Sequence, residues 1–330
     1  MKRISCLKHF RKLRKLAIII VLSMLLLFVL LTVKLVFIND KDCTNPMFTQ
    51  DELEVVMIDV SNSDSFLVLQ NDQAMLVDSG YFTTYQRVKK VLEEYNVKKL
   101  NYVILTHPHR DHEGGFLRLM FDYRIDNLLI QHDLGNFKMS FTESLFYTIS
   151  DSMIKYENFF THNIIEVPDH LSFAKSTLEF YDTTPDDMNY NELNNYTLVF
   201  KMKYENVSML FTGDLQKDGE NTLLNSNIDL SADILKVGHH GSKTSTSLPF
   251  LKAVLPKYAM VSCNNLKKQS YGHPMKSVVE LFHSQEIPLY RTDELNNVKM
   301  TTDGTNIEFD KNSGDYLSGR ALLQEQNSKH

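Results

Sequence analysis

THPHRDHEGG, Thr106 to Gly115, is the stretch on which the reading of this chain turns. It follows the apolar run Leu100–Leu105, which has the length and composition of a buried strand, so His107, His109, Asp111 and His112 stand at a strand's carboxyl end. Imidazole nitrogens and carboxylate oxygens are the donors that bind zinc, manganese or iron. Four of them within six residues diverge around a loop, His107 and His109 toward one cation, Asp111 and His112 toward a second. Pro108 stiffens the loop, and Gly114-Gly115 let backbone come close to the ions.

Two later segments present the same kind of group in the same kind of place. Met209-Leu-Phe-Thr-Gly-Asp214 is an apolar run ending in a carboxylate, and a carboxylate there can bridge two cations about 3.5–4 Å apart. Ala232–Ser245 (ADILKVGHHGSKTS) is another such run, ending in His239-His240-Gly241-Ser242. Gly-Asp alone occurs in many turns. Three strand ends that all carry ligand-type residues are a joint signal, because open-sheet active sites gather at the carboxyl ends of strands.

Taken in order, LVDSG (76–80), THPHRDHEGG, FTGDL (211–215), LKVGHHGS (235–242) and YGHP (271–274) resemble the metallo-β-lactamase superfamily. Within it they most resemble the external hydrolase domain of ComEC-type competence proteins and their stand-alone relatives. The similarity runs from about Leu53 to Glu308. It implies an α/β fold, the αββα four-layer sandwich of two mixed sheets with helices outside, and a cofactor of two divalent metal ions, zinc or manganese. By that resemblance His107 and His109 match first-ion ligands, Asp111 and His112 second-ion ligands, and Asp214 the bridging carboxylate. His239 or His240 matches the last second-ion ligand, and His239 is favoured because it directly follows Val-Gly. Asp78 matches an acidic residue that orients the His loop without binding metal. His273 matches a late motif that reaches the scissile phosphate or leaving group.

The chain departs from the wider superfamily where a His usually precedes the strand pair ending in Gly-Asp. Asn194-Asn195-Tyr196-Thr197 stands there. That leaves the first site with two His, the bridging Asp and an amide oxygen, with Asn195 in a supporting role. Ser61-Asn62-Ser63-Asp64 stands where relatives have Gly-Gln-Gly-Asp, a change serines accommodate in the same tight turn.

Working outward, short strands are expected at Leu53–Val60, Ser65–Gln70 and Ala74–Val77, and an amphipathic helix over Tyr85–Tyr95 with Val88, Val91, Leu92 and Tyr95 on one face. The second half continues this alternation, with strands at Leu178–Tyr181, Tyr196–Tyr204, Val207–Phe211, Ile234–Val237 and Tyr258–Ser262, helices at Leu248–Val254 and Met275–Ser284, and a hairpin over Val298–Phe309. Tyr290-Arg291-Thr292 reads as packing in a late strand. No composition break divides residues 52–310, which are taken as one hydrolase domain between a linker (39–51) and a loose polar tail (311–330).

The first residues differ in kind. Residues 1–15 carry seven Lys/Arg and no acid, and Leu16–Val33 then runs for eighteen residues without a charge, the apolar run resuming after Lys34 through Ile38. About 20 apolar residues span a bilayer, so 16–38 is expected to be a single transmembrane anchor. With the basic flank on the cytoplasmic side, the domain lies outside the cell. Beyond residue 34 the chain holds 27 basic and 41 acidic residues, a net of −14, which disfavours an extended nucleic acid as partner. Cys6, Cys43 and Cys263 form no disulfide framework; Cys43 and Cys263 would both lie outside and could pair, the unpaired reading being favoured.

The expected function is hydrolysis by metal-activated water, and the expected substrate is a phosphodiester in a cell-wall polymer, a nucleotide or DNA. Asp111 would orient the water, and His273 or Ser242 would stabilise or protonate the departing oxygen. β-Lactam hydrolysis is disfavoured by the Asn194-Asn195 stretch. The alternatives are a DNA nuclease, or a non-catalytic, metal-stabilised module associated with competence DNA uptake.

Overall fold

Strands that follow one another through a tight turn pair antiparallel, whereas a helical crossover between them makes the pair parallel. Both kinds of connection occur here, and they set the topology. The computed structural model describes residues 44–130, 161–165, 167–183, 193–264 and 272–328. The chain enters a first sheet through β1 (Leu53–Met57), β2 (Phe66–Gln70), β3 (Gln73–Val77), β4 (Lys99–Leu105), β5 (Arg124–Ile130) and β6 (Thr161–Ile165). It builds a second sheet from β7 (His170–Phe173), β8 (Ser176–Tyr181), β9 (Val199–Tyr204), β10 (Val207–Phe211), β11 (Ile234–Lys236), β12 (Tyr258–Val261) and β13 (Leu289–Arg291). It then returns to the first with β14 (Val298–Thr302) and β15 (Ile307–Phe309). The spatial orders are β15-β14-β1-β2-β3-β4-β5-β6 and β13-β12-β11-β10-β9-β8-β7.

Helices α1 (Tyr85–Glu94), α2 (Phe116–Asp122), α3 (Lys217–Asn225), α4 (Leu248–Val254), α5 (Lys276–Ser284) and α6 (Gly319–Ser328) complete the described elements, apart from single helical turns. α1 lies between β3 and β4, which pair in parallel, and α3, α4 and α5 separate the parallel strands β10 to β13. Each sheet is therefore mixed.

Three apolar cores identify the layers. Leu53, Val55 and Met57 of β1 meet Phe200, Met202, Met209 and Phe211 of the second sheet in the central core. The alternate residues Val56 and Ile58 face Val88, Val91 and Leu92 of α1. Leu210 and Leu235 of the second sheet pack on Phe250, Leu251 and Phe282 of α4 and α5. Both faces of each sheet are covered, which is why the strands read as nearly continuous apolar runs. The αββα sandwich implied by the sequence is the observed fold.

Two expectations change. The described part of the segment expected to be a loose tail at 311–330, residues 311–328, is anchored. Gly314 N–H donates to Leu289 O, Tyr316 Oη to Ile287 O, and α6 follows. Arg291, entirely buried, holds that segment: its guanidinium pairs with Asp293 through two bonds of 2.7 and 2.8 Å and donates to Asp315 O and Leu317 O. The strand expected from Tyr196 starts at Val199, because Leu193–Tyr196 turns as a short 3₁₀ segment. No helix among the described residues is long and apolar enough to cross a membrane, and the run 16–38 lies outside them. Cys263 is a free, buried thiol.

Phe211 joins the two sheets, edge-on to Phe66 of the first at 5.6 Å and stacked on Phe200 of its own at 4.7 Å. Phe211→Ala is expected to cost about 3–5 kcal/mol, read as a lowered urea midpoint at unchanged slope. A loss below about 1 kcal/mol would show that the sheets close over the cavity.

Candidate metal centre

The strands that end at the site are the parallel ones. β3 and β4 end in Asp78 and the His loop, and β10 and β11 end in Gly213-Asp214 and His239-His240. A bond from Leu198 N–H to Thr106 O, 2.8 Å, ties the second sheet to the His loop. Gly213 is required at its position: φ is +46°, and a Cβ would meet Thr197 Oγ1 at 1.9 Å. Gly115 is equally constrained, since a Cβ there would meet Ser79 O at 2.2 Å.

Asp214, buried, divides its carboxylate. Oδ1 lies 3.3 Å from His112 Nε2 and 3.6 Å from His240 Nε2, while Oδ2 lies 3.8 Å from both His107 Nε2 and His239 Nε2. His240 Nε2 also stands 3.4 Å from Asp111 Oδ2, and His107 Nε2 stands 3.0 Å from His109 Nδ1. The donors gather as two groups, Asp111, His112, Asp214 and His240 in one, His107, His109 and Asp214 in the other.

These groups fit a metal better than they fit each other. His112 Nε2, His240 Nε2 and Asp214 Oδ1 are buried and make no hydrogen bond. An orphaned buried polar atom is costly, and three converging on one point share a single remedy. Donors about 2.1 Å from a common cation in a tetrahedral arrangement lie about 3.4 Å apart, which is close to the separations observed. Where the sequence favours His239 as the last second-ion ligand, the grouping takes in His240.

The outer nitrogens are engaged in the manner expected of ligating imidazoles. Thr106 Oγ1 donates its one proton to Asp78 Oδ2 at 2.8 Å, so His107 Nδ1–H donates to Thr106 Oγ1 at 3.1 Å. His112 Nδ1–H donates to Asp78 Oδ2 at 2.8 Å, and His240 Nδ1–H to Ser262 O at 3.0 Å. Each ring thus turns Nε2 inward. Asp78 also accepts Thr106 N–H, so it orients two ligands with its oxygens already used. Asn195 is structural as well, its Oδ1 accepting Gln216 N–H and Gly219 N–H.

Sequence reasoning passed over two residues. Asp64, fully enclosed, pairs with the buried Lys236 ammonium and lies 3.5 Å from His240 Nδ1. Lys236 Nζ donates to Gly213 O at 2.5 Å and stands 3.9 Å from Asp214 Oδ1. This ion pair forms the floor of the centre. Asp64, Asp78 and His112 also draw together, but Asp78 is spent on Thr106 and His112 and Asp64 is ion-paired with Lys236, so that grouping reads as a buttress.

A cavity of about 220 Å³ opens on the donors, lined by Asn62, Tyr81, Arg110, Asn194, His239 and His273 among others. Ser242, expected near the reacting atoms, is not in its wall; its Oγ stays in its own turn, 3.0 Å from Thr244 Oγ1. His273 is in the wall, its ring 5.9 Å from that of His239.

The chain belongs to the metallo-β-lactamase superfamily, whose family model matches residues 58–263. Among curated proteins it is similar to ComE operon protein 3 of Bacillus subtilis (strain 168), 30% identical over 261 residues, covering 74% of this chain and 32% of that one. It is also similar to competence protein ComA of Neisseria gonorrhoeae, 26% identical over 249 residues, covering 74% and 31%. The chain thus spans about a third of the length of these relatives, and the resemblance to ComEC-type competence proteins holds. Among solved structures, the metallo-β-lactamase fold protein YhfI of Bacillus subtilis aligns with a TM-score of 0.50 at 15% identity, covering 74% of this chain and 97% of that one. CmlA, a diiron β-hydroxylase of Streptomyces venezuelae, aligns with a TM-score of 0.50 at 11% identity, covering 76% and 54%. Both likenesses are of fold.

The charges sort the imidazoles. Burial, with His112 and His109 nearby, holds His107 well below the ordinary histidine range. Burial would lower His112 and His240 too, but Asp214 with Asp78 raises His112, and Asp214 with Asp64 pushes His240 up to about 10. Without metal, protons therefore sit on His112 and His240, at the place a cation would take. A metal must displace them. Binding near neutral pH is expected to release protons, and apparent affinity to rise with pH through the neutral range, because each histidine remains a competitor below its raised pKa. Calorimetry in buffers of different ionisation enthalpy checks this; affinity flat from about pH 6 to 8, with no proton release, would show that both rings meet the ion already neutral.

Proposed function

We propose that the chain is a phosphodiesterase acting outside the membrane, a metal-dependent hydrolase whose substrate brings one or two phosphates to the cavity beside Asp214. The observation that carries this is the division of the Asp214 carboxylate between two sets of imidazoles, together with a cavity opening on both. A purely structural metal site is closed and has no use for either. Two divalent ions in these donors, zinc or manganese, would supply an activated water and offset charge on the scissile group.

The chain's own residues do the rest. Asp111, at the cavity wall, would accept a hydrogen bond from the attacking water and aim it. Burial pushes His273 down to about 4, so at neutral pH it is a neutral imidazole. It positions the departing oxygen by hydrogen bonding and holds no ready proton for it. Asn62, Tyr81, Arg110 and Asn194 supply further donors suited to anionic oxygens.

The relatives that are competence proteins support a phosphodiester over a β-lactam. The net charge of −14 beyond residue 34 weighs against a long polyanion and favours a small or locally neutralised diester such as a nucleotide or a cell-wall polymer unit. The basic and apolar N-terminal run would anchor the domain at the membrane. Those same relatives favour a second reading, a nuclease serving DNA uptake.

Salt separates the two. An enzyme engaging one phosphate should show a KM for bis-p-nitrophenyl phosphate that stays within about fourfold between 50 and 200 mM salt, whereas a tracking nuclease loses on the order of 10³-fold or more. With zinc or manganese present, the small diester should be turned over better than single-stranded DNA at equal phosphate, and His109→Ala should abolish both activities. Strong preference for long DNA with steep salt dependence would establish the nuclease; no turnover of either would sink the hydrolase reading.

A further inference from the structure

Two consecutive histidines meet opposite oxygens of one carboxylate. His240 Nε2 faces Asp214 Oδ1, the oxygen shared with His112, whereas His239 Nε2 faces Oδ2, the oxygen shared with His107. The backbone makes this possible. His239 (φ 48°, ψ 47°) and His240 (φ 54°, ψ 24°) are both left-handed, and Gly241 follows at φ 79°. Bulky residues rarely adopt that conformation, and runs of it concentrate at ligand clamps. An extended backbone would send successive side chains to opposite faces; the left-handed turn fans both rings toward Asp214.

His239 is also supported as the ligating rings are. Its Nδ1 lies 3.2 Å from Thr244 Oγ1, which lies 3.0 Å from Ser242 Oγ. The hydroxyl can accept from Nδ1–H while donating to Ser242, leaving Nε2 with a lone pair toward Oδ2. His107, His112 and His240 have the same arrangement, outer nitrogen engaged and Nε2 turned toward Asp214. His239 approaches from the cavity side, about a quarter exposed. Where resemblance to the wider superfamily implies a histidine, Asn194 and Asn195 stand here, and Asn195 is committed to the backbone of Gln216 and Gly219.

We propose that His239 supplies the third nitrogen donor of the first ion site, with His107, His109 and Asp214 Oδ2, so that the pair His239-His240 serves two ions at once. The inference rests on the metal-dependent hydrolase reading and sharpens it, since a three-nitrogen site favours zinc over the harder site that an amide oxygen would make. The rival donor is Asn194 Oδ1, buried in the same cavity wall without a hydrogen-bond partner.

Metal content and stepwise zinc affinity decide it, measured on the full chain by elemental analysis and competition with a chromophoric chelator. Wild type should hold two zinc ions. His239→Asn, which tolerates the left-handed backbone, should hold one tightly and bind the other at least tenfold more weakly, and His239→Ala should behave alike. His240→Ala should also lose one ion, and the double variant both. Thr244→Val should weaken one site by about 10–100-fold, and this variant carries the test should those at position 239 fail to fold. Two ions bound by the His239 variants with wild-type affinity, with only KM altered, would make His239 a substrate contact and overturn the proposal. Loss of the first ion in Asn194→Ala but not in His239→Asn would overturn it in favour of the amide. Wild type that binds no zinc or manganese would instead defeat the hydrolase reading itself.

Discussion

Everything near the centre depends on one enclosed carboxylate. Asp214 is about 1% exposed and stands between four imidazoles, two facing each oxygen. Burying an ionised carboxylate is unfavourable by several kcal/mol unless charge or hydrogen bonds compensate. Here the compensation comes from His112, His240 and His239, which hold Asp214 well below the usual carboxylate range despite burial. That arrangement requires three loops from two sheets to arrive together. The glycine before Asp214, the left-handed histidine pair and the Thr106–Leu198 bond between the sheets are consequences of that requirement.

Behind the donors lies a second tier with its own charge balance. Asp64 and Lys236 neutralise one another, and Asp78 is bound to Thr106 and His112. Asp64 stays ionised although burial would raise it, because Lys236 and His240 are adjacent. Outer partners of this kind fix ring orientation and typically matter 10–100-fold to metal affinity or activity. The tier also accounts for the spacing of the LVDSG and LKVGHHGS motifs along their strands. Each places a charged side chain on the same enclosed side as the ligands.

Much of this was legible from residue order. The strands before the ligands are apolar runs of the right length, and α1 has its buried residues Tyr85, Val88, Val91 and Leu92 at helical spacing. What was not legible depended on distant partners. α3 is mostly polar, KDGENTLLN, and stands because the Glu220 carboxylate accepts N–H groups from Thr246 and Ser247 while Asn195 accepts two at the helix start. Lys236 within a short apolar strand looks like a side chain that reaches solvent, and only the fold brings Asp64 to it. That His239 and His240 both face Asp214 depends on two left-handed residues in succession, which the sequence Val-Gly-His-His does not encode. Arg291 was read as packing, yet its role in pinning Asp315 and Leu317 showed the polar tail to be anchored.

The return of the chain to its first sheet has a temporal meaning. β1 is hydrogen-bonded on one side to β2 and on the other to β14, Leu53 opposite Thr302. Gly319 N–H, later still in the chain, donates to Pro274 O beside His273. The earliest strand of the sheet to be made thus waits for one of its last, and such non-local closure is slow. A nascent chain exposes every donor of the centre before the sheet that aligns them can close. Ion capture in its final geometry therefore follows the synthesis of β14, in whichever compartment that strand finds its partner.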